Sequence, residues 1–563
     1  MANRFTNFVK IYEDEFTNAG KELDGQEMPE LTEELFAIYE NTGSRLEYEE
    51  VYFQRRKFLT VYAMLVAMYG KKNDIERLEK IIESICNETT WALPAHVDRT
   101  KENWQIFIDL FAAETAFSLA EIVCMQERKL SANIVELARK EVYRRVLTPF
   151  MESSYPYAWW EESNMNWCAV CCGSVGAAAI WLMQKEKEKD KLIEVVNRVN
   201  KSIMHYIDGF SADGACLEGL SYYTYGMSFY VAYADLMYKL SAGNTDLFAN
   251  EKLKNIALFQ QKCFLSKTLS LSFSDSEQDE KVRIGLLAYL SKRYKGVRFP
   301  DPSIVAGLES DTCYRYVILS RDYFWTKTYV GMSEGDVVWH TILHEAQWSI
   351  CKSDNNCAMA VKGGHNGEPH NHNDVGSFLY VCDDEYILDD LGAGEYTKDY
   401  FGERRYDTLN CRSLGHNVPL VGGMEQFPGE LYRATNFIVD GQGTTEMEIQ
   451  EAYGLGKEEK IKRTINFEKS SGECEVIDEF IISHGKVITE NLVTSHKPVI
   501  KGNGFVIKSR KNTFRIKVKN GSDFEVLQES YTDHYGVRKL AWFMQWRVNG
   551  NKTQMHIRKV EEN

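Results

Sequence analysis

The spacing of apolar residues changes once along this chain of 563 residues, and that change limits the fold more than any single motif. Up to about residue 330 apolar residues recur three and four apart with charges between them, the period of a helix with one buried face. Glu33–Tyr39, Val51–Tyr69, Ile75–Cys86, Trp104–Cys124, Ala132–Val146, Gly173–Met183, Lys191–Ile207, Ser228–Leu240 and Asn250–Leu265 all read this way. Pro94, Pro156, Pro300 and Pro302 fall in the connections, where a missing N–H breaks no helix. Many similar helices on short loops suggest a solenoid or a closed ring of helical hairpins. No clean sequence repeat accompanies them.

From about Val337 the period becomes two. Ala358–Val361, Ser377–Val381, Thr445–Ile449, Lys460–Asn466, Glu475–Ile482, Val487–Thr494, Phe505–Ser509, Thr513–Val518 and Lys539–Arg547 are short runs rich in Val, Ile, Thr and aromatics. Runs of this kind, bounded by Gly, Asn, Asp and Lys, predict an antiparallel sandwich. Asn520-Gly521 and Asn549-Gly550 predict hairpin turns. The length exceeds what one core supports. The chain is thus expected to be a multidomain α+β protein, helical over 1–330 and β-sandwich over 331–563.

A net charge of −16 argues against broad nucleic-acid binding. The first residues, MANRFTNFVKIYEDEF, carry early acids and no apolar core. They do not read as a secretory signal, so a cytoplasmic protein is expected. The most apolar window, Phe58–Tyr69, is too short to span a bilayer, and no membrane partner is expected. Thirteen cysteines fit reduced thiols in such a compartment. Cys168, Cys171 and Cys172 lack a second pair at zinc-site spacing, so they read as small core residues of a helix. The sequence leaves self-association into a homo-oligomer open.

Polar chemistry concentrates in GGHNGEPHNHNDVGSF (Gly363–Phe378), which holds three of the twelve histidines. On a strand, His370, His372 and Asp374 would share one face. Imidazoles and a carboxylate together suit a divalent metal or acid–base work. Two later stretches point the same way: ILDDLGAG (Ile387–Gly394) and RSLGHNVPLV (Arg412–Val421). Two histidines and one carboxylate make a plausible zinc-type site, and the preferred set is His372, Asp390 and His416. Asp389 competes with Asp390, since a slip of one residue exchanges their faces. In the helical half, WWEESNMNWC (Trp159–Cys168) and DGACLEGLSYYTYG (Asp213–Gly226) gather aromatics and amides. Such groups stack on sugar rings and hydrogen-bond carboxylates and hydroxyls. Taken singly, each is better explained by helix capping and packing.

Taken together, NMNW at 164–167, EGLSYYTYG at 218–226, PHNHNDVGSF at 369–378, LDDLGAG at 388–394 and RSLGHN at 412–417 resemble the heparinase II/III-like polysaccharide lyases. The resemblance implies an N-terminal (α/α) toroid and a C-terminal antiparallel β-sandwich, and the set His372, Asp390 and His416 predicts one divalent ion, zinc, in a structural role. It implies β-elimination on an anionic, uronate-containing oligosaccharide of the heparin, heparan or alginate kind. In that chemistry a weakly acidic C5 proton is removed beside a carboxylate, which must be neutralised as charge develops. Asn166, or Asn164, with His370 would supply the neutralising bonds. Tyr222, or Tyr225, would act as acid, base or both, with His370 as a second base. His96, Trp160, Trp167, Glu218, Tyr400, Arg404, Arg405 and Arg412 are expected to bind substrate, the arginines through its anionic groups. Two alternatives remain. A glycoside hydrolase on a helical toroid would need paired carboxyl groups, with Glu218 and Glu161 or Glu162 on offer. A non-catalytic glycan-binding protein would bind without turnover.

Overall fold

The computed structural model describes residues 2–184, 188–299, 301–327, 338–483 and 485–560. Pro300 and the expected boundary at 330/331 lie outside the described residues. The chain divides into two compact units. The first comprises Met1–Phe210, Tyr223–Ala257 and Lys281–Glu334, the second Ser211–Tyr222, Leu258–Glu280 and Gly335–Asn563. Two segments expected in the helical domain therefore cluster with the β-rich one, and the division is not a single cut.

The first unit is helical. Seven of its helices are α1 (Ala2–Leu23), α2 (Leu46–Met68), α3 (Leu110–Met125), α4 (Asn166–Met183), α5 (Leu220–Leu240), α6 (Ile284–Arg293) and α7 (Tyr316–Lys327). α1 packs on α2, α3 on α4, and α6 on α7. α7 also packs against α1, α2 and α3, so the last helix returns to the first. Small residues let neighbouring helices approach closely. A Cβ on Gly176 of α4 would lie 2.4 Å from the Tyr233 ring of α5, and one on Gly173 3.1 Å from the Phe229 carbonyl oxygen. α4 is apolar on every side, as a helix enclosed by neighbours must be. It is long and apolar enough to cross a membrane by composition, more so than Phe58–Tyr69, but 89% of its window is buried within the unit. Cys168, Cys171 and Cys172 are wholly buried along it, as small core residues.

The second unit is built on antiparallel sheets. A five-stranded sheet runs in the order His340–Leu343, Trp348–Lys352, Cys357–Lys362, Phe378–Cys382, Glu385–Leu388. An eight-stranded sheet includes Thr513–Lys519, Lys552–Val560, Cys474–Ile481 and Lys460–Phe467 as neighbours. A four-stranded sheet pairs Gly521–Thr532, Arg538–Val548, Ile488–Thr494 and Leu420–Val421. Met359, Phe378, Ile465, Val476, Ile516, Met544, Trp546 and Ile557 share one core. Alternation of inward apolar and outward polar residues produces it, as in the buried-exposed pattern of Lys460–Phe467. The two Asn-Gly pairs are not hairpin turns. Asn520 leads from the eight-stranded sheet into the four-stranded one, and Gly550 leads back. Both positions have positive φ, 57° and 83°, so the same residue chemistry that tightens a hairpin here turns a corner between sheets.

Candidate active site

The Gly363–Phe378 segment is mostly a loop, not the expected strand. Its ends are strand Cys357–Lys362 and strand Phe378–Cys382. The predicted shared face of His370, His372 and Asp374 does not exist. Asp374 turns away and accepts from the buried Lys362 ammonium at 2.9 and 3.0 Å. His370 has φ 56°, a conformation non-glycine residues seldom hold unless their surroundings enforce it.

The His370 ring is held by Asp275, a residue outside the sequence motifs. Asp275 lies in Leu258–Glu280, one of the two segments that join the β-rich unit. Serines at 270, 272, 274 and 276 are fully buried around it and tie this segment down. Ser276 Oγ accepts from the Leu220 N–H at 2.7 Å, and Ser274 Oγ donates to the Leu217 carbonyl at 3.0 Å. The Asp275 carboxylate is buried and its oxygens are shared among five side chains. Oδ2 meets His370 Nδ1 at 2.7 Å and Oδ1 meets His372 Nε2 at 3.1 Å. The Tyr396 hydroxyl donates to Oδ2 at 3.0 Å, the Tyr400 hydroxyl donates to Oδ1, and Arg405 Nη2 lies 3.5 Å from both. Burial alone would push this carboxyl up, but Arg405 and the two imidazoles outweigh it and hold Asp275 well below the usual range.

A carboxylate only accepts, so the imidazole nitrogens facing Asp275 carry hydrogens. In the neutral ring the lone pair is then on His370 Nε2, which lies 3.8 Å from Glu218 Oε2. The Tyr222 ring stacks on the His370 ring with centroids 4.1 Å apart. The Tyr222 hydroxyl is 2.6 Å from that of Tyr396. Because Tyr396 spends its one hydrogen on Asp275, Tyr222 is the donor in that pair. Burial and then Asp275 push the Tyr396 phenol well above its ordinary range, so it stays protonated.

His372, Asp390 and His416 come together as expected, all buried, with their ligand atoms within 4.8 Å of one another. His416 Nε2 faces the Asn410 carbonyl at 3.0 Å and must donate to it. Both imidazoles therefore turn their Nδ1 atoms inward, and His416 Nδ1 lies 3.2 Å from Asp390 Oδ2. His372 Nδ1, His416 Nδ1 and Asp390 Oδ2 have no hydrogen-bond partner. Three buried ligand atoms converging without a well-formed hydrogen bond fit a divalent cation, each imidazole already oriented by an outer acceptor. Asp389 faces elsewhere and accepts from the Ser495 N–H.

Other expected residues fall differently. Trp160 is 1% exposed and donates to the Ile108 carbonyl at 3.1 Å, so it is core and not a sugar contact. Its neighbour Trp159 is 56% exposed and packs on Trp167, centroids 4.9 Å apart. Trp167 also meets the edge of His96, whose Nδ1 is held 2.7 Å from Asp109, the N-cap of α3. Asn166 is buried at the first position of α4, while Asn164 is exposed before it. Tyr225 belongs to the helical unit, and its hydroxyl donates to Glu114. Tyr400 is 1% exposed, so it supports Asp275 and presents no surface. Arg405 donates to the Asn371 carbonyl at 3.0 Å and lies beside the same carboxylate. Arg412 is paired with Glu425 through Nε at 3.0 and 3.1 Å, and Arg404 lies at the surface between Asp399 and Asp407.

No family model matches the sequence, and no curated protein matches it. Solved structures do. Heparinase III is 13% identical, with TM-score 0.67, over 100% of this chain and 92% of that one. A mutant of heparan sulfate lyase HepC from Pedobacter heparinus is 13% identical, with TM-score 0.62, over 92% and 78%. The chondroitin AC lyase of Streptomyces coelicolor, solved in complex with chondroitin sulphate, is 10% identical, with TM-score 0.57, over 99% and 80%. The helical region followed by antiparallel sheets is thus the fold of solved heparan sulfate and chondroitin lyases.

Proposed function

We propose that this chain is a lyase that cleaves uronic-acid-containing glycans by β-elimination, with His370 as base and Tyr222 as acid. One observation carries the proposal: the His370 and Tyr222 rings stack, with His370 held directly by the buried Asp275 carboxylate and the Tyr222 hydroxyl linked to it through Tyr396. His370 Nε2 takes the C5 proton, the C5–H electrons form the C4–C5 double bond, and the C4–O4 bond breaks. The departing O4 takes its proton from Tyr222. The resulting imidazolium is stabilised by Asp275 at Nδ1, the role a carboxylate has in any histidine–carboxylate pair. Asn166 is assigned the substrate carboxylate by resemblance, and Asn166→Ala tests it. His372, Asp390 and His416 would hold a divalent ion, zinc by its ligand set, whose contribution would be to tie the loops carrying those residues together.

Hydrolysis is less well supported. Of the carboxyl groups on offer, Glu218 lies 3.8 Å from His370 Nε2, Glu162 is exposed, and Glu161 is buried in a pair with Arg198 at 2.7 and 2.8 Å. Glu161 is thus not available to partner Glu218 across a bond. Incubation with a panel of heparosan, heparan, chondroitin and alginate oligosaccharides decides the matter. Elimination creates a conjugated double bond that absorbs in the ultraviolet. New reducing ends without that absorbance would refute elimination, and binding without either would leave a glycan-binding protein.

A further inference from the structure

We infer that Asp275 and Tyr396 are positioning residues for this site, one carboxylate fixing both reacting groups. The inference rests on the elimination proposed above and extends it to two residues outside the sequence motifs. Asp275 Oδ2 accepts from His370 Nδ1 at 2.7 Å, which in the neutral ring selects the tautomer with its lone pair on Nε2. The same oxygen accepts from Tyr396, whose own oxygen accepts from Tyr222. A hydrogen-bonded chain thus runs from the Tyr222 hydroxyl to the carboxylate that orients His370.

Chemistry at each link gives the pair its function. A histidine free to exchange tautomers spends part of its time with Nε2 protonated, where it accepts nothing from C5. Asp275 removes that option. Tyr396 has one hydrogen and two lone pairs. At rest it accepts from Tyr222 and donates to Asp275. As Tyr222 gives its proton to O4 it becomes a phenolate, and the Tyr396 hydroxyl can turn its hydrogen to that oxygen without moving its ring. Asp275 keeps the Tyr400 hydroxyl, both imidazoles and Arg405 while it does so. His534 packs edge-on to the Tyr396 ring at 4.4 Å and Phe401 at 4.8 Å, so the ring is clamped and only the hydroxyl turns.

The test uses the full chain and the best substrate of the panel. Tyr396→Phe is expected to lower kcat about tenfold, the loss of one hydrogen bond to a developing charge, with KM within about twofold and bound metal unchanged. In a Tyr222→Phe background the same change should have no further effect on kcat, because it acts through the hydroxyl already removed. Undiminished kcat in Tyr396→Phe, or an equal loss in both backgrounds, overturns the inference. Asp275→Asn can accept from His370 or His372 but not from both, and should lower kcat at least about a hundredfold. If that variant loses metal or fails to fold, Tyr396→Phe alone decides. Nitrogen-15 spectra of labelled histidine read the same geometry without turnover: His370 protonated on Nδ1 in the wild type supports the inference, and a mixture of tautomers refutes it. A wild-type kcat retained by Tyr222→Phe refutes the elimination proposal instead.

Discussion

Replacing Arg463 by methionine should unseat both site loops from a distance. Arg463 is fully buried on the inner face of strand Lys460–Phe467, opposite Asp478 in the neighbouring strand. Its Nε and Nη2 each donate to the Asp478 carboxylate at 2.8 Å. Its Nη1 donates to the Gly376 carbonyl at 2.8 Å and the Asn417 carbonyl at 2.7 Å, just beyond His372 and just after His416. Glu490 accepts from Nη2 at 3.3 Å, and burial followed by Asp478 pushes it well above the usual carboxylate range. The ion pair is therefore Arg463 with Asp478. Removing one partner of a buried pair costs about 3–5 kcal/mol, and two carbonyls losing charged donors add about 1 kcal/mol each. Arg463→Met should thus destabilise the β-rich unit by about 5–7 kcal/mol. Replacing Arg463, Asp478 and Glu490 together by Met, Leu and Leu removes the stranded charge, leaving only the carbonyl cost of about 2 kcal/mol. Hydrogen exchange resolved by peptide measures the opening free energy of strands 460–467 and 474–481 apart from that of the helical unit. A single variant within about 1 kcal/mol of wild type, or a triple variant no better than the single, would refute this account.

Tyr222→Phe keeps the ring stacked on His370 and removes the acid, so kcat should fall about a hundred- to ten-thousand-fold, roughly 3–5 kcal/mol of barrier. Substrate affinity measured by calorimetry should change little, and near-normal turnover would remove Tyr222 from the mechanism. His416→Ala removes one of three converging donors. Metal analysis should find less than about a tenth of the wild-type content, and the melting midpoint should fall by about 5 °C or more; stoichiometric metal in the variant would reject the ligand set. Glu459 accepts from the Ser483 N–H at 3.1 Å and from Lys486 at 3.0 Å, which lowers it from its ordinary 4.5 to about 2. Its folded value is depressed, so its contribution is present above pH 4.5 and is lost as pH falls through about 2. The stability difference between wild type and Glu459→Gln, read by the same exchange method, should shrink across that window; a difference independent of pH would show that the carboxylate is not the source.

Periodicity made most of the architecture legible. Strand Lys460–Phe467 was expected at Lys460–Asn466, and α2 (Leu46–Met68) at Val51–Tyr69. Strand Gly521–Thr532 escaped notice because both its faces are largely exposed, which erases the alternation. The inward Arg463 and Asp478 were visible in principle, since each sits at an apolar position of an alternating run. The metal-type triad was legible because His372, Asp390 and His416 lie in short motifs with recognisable glycines and histidines. Trp160 was misread because two adjacent tryptophans look alike in sequence, and the fold buries one while exposing the other.

Sequence by itself determined the helical and β-rich halves of this chain and the histidine motif between its strands. Those are local properties: side-chain period and turn chemistry act over a few residues. Only the tertiary structure decided which polar residues meet. Asp275 reaches His370 across 95 positions and Tyr222 meets Tyr396 across 174. Nothing in LSFSDSEQD (Leu271–Asp279) distinguishes that aspartate from one in an ordinary surface turn. It becomes the centre of the site because buried serines dock its segment on the β-rich unit, where a buried carboxylate persists only when every oxygen is matched by a donor.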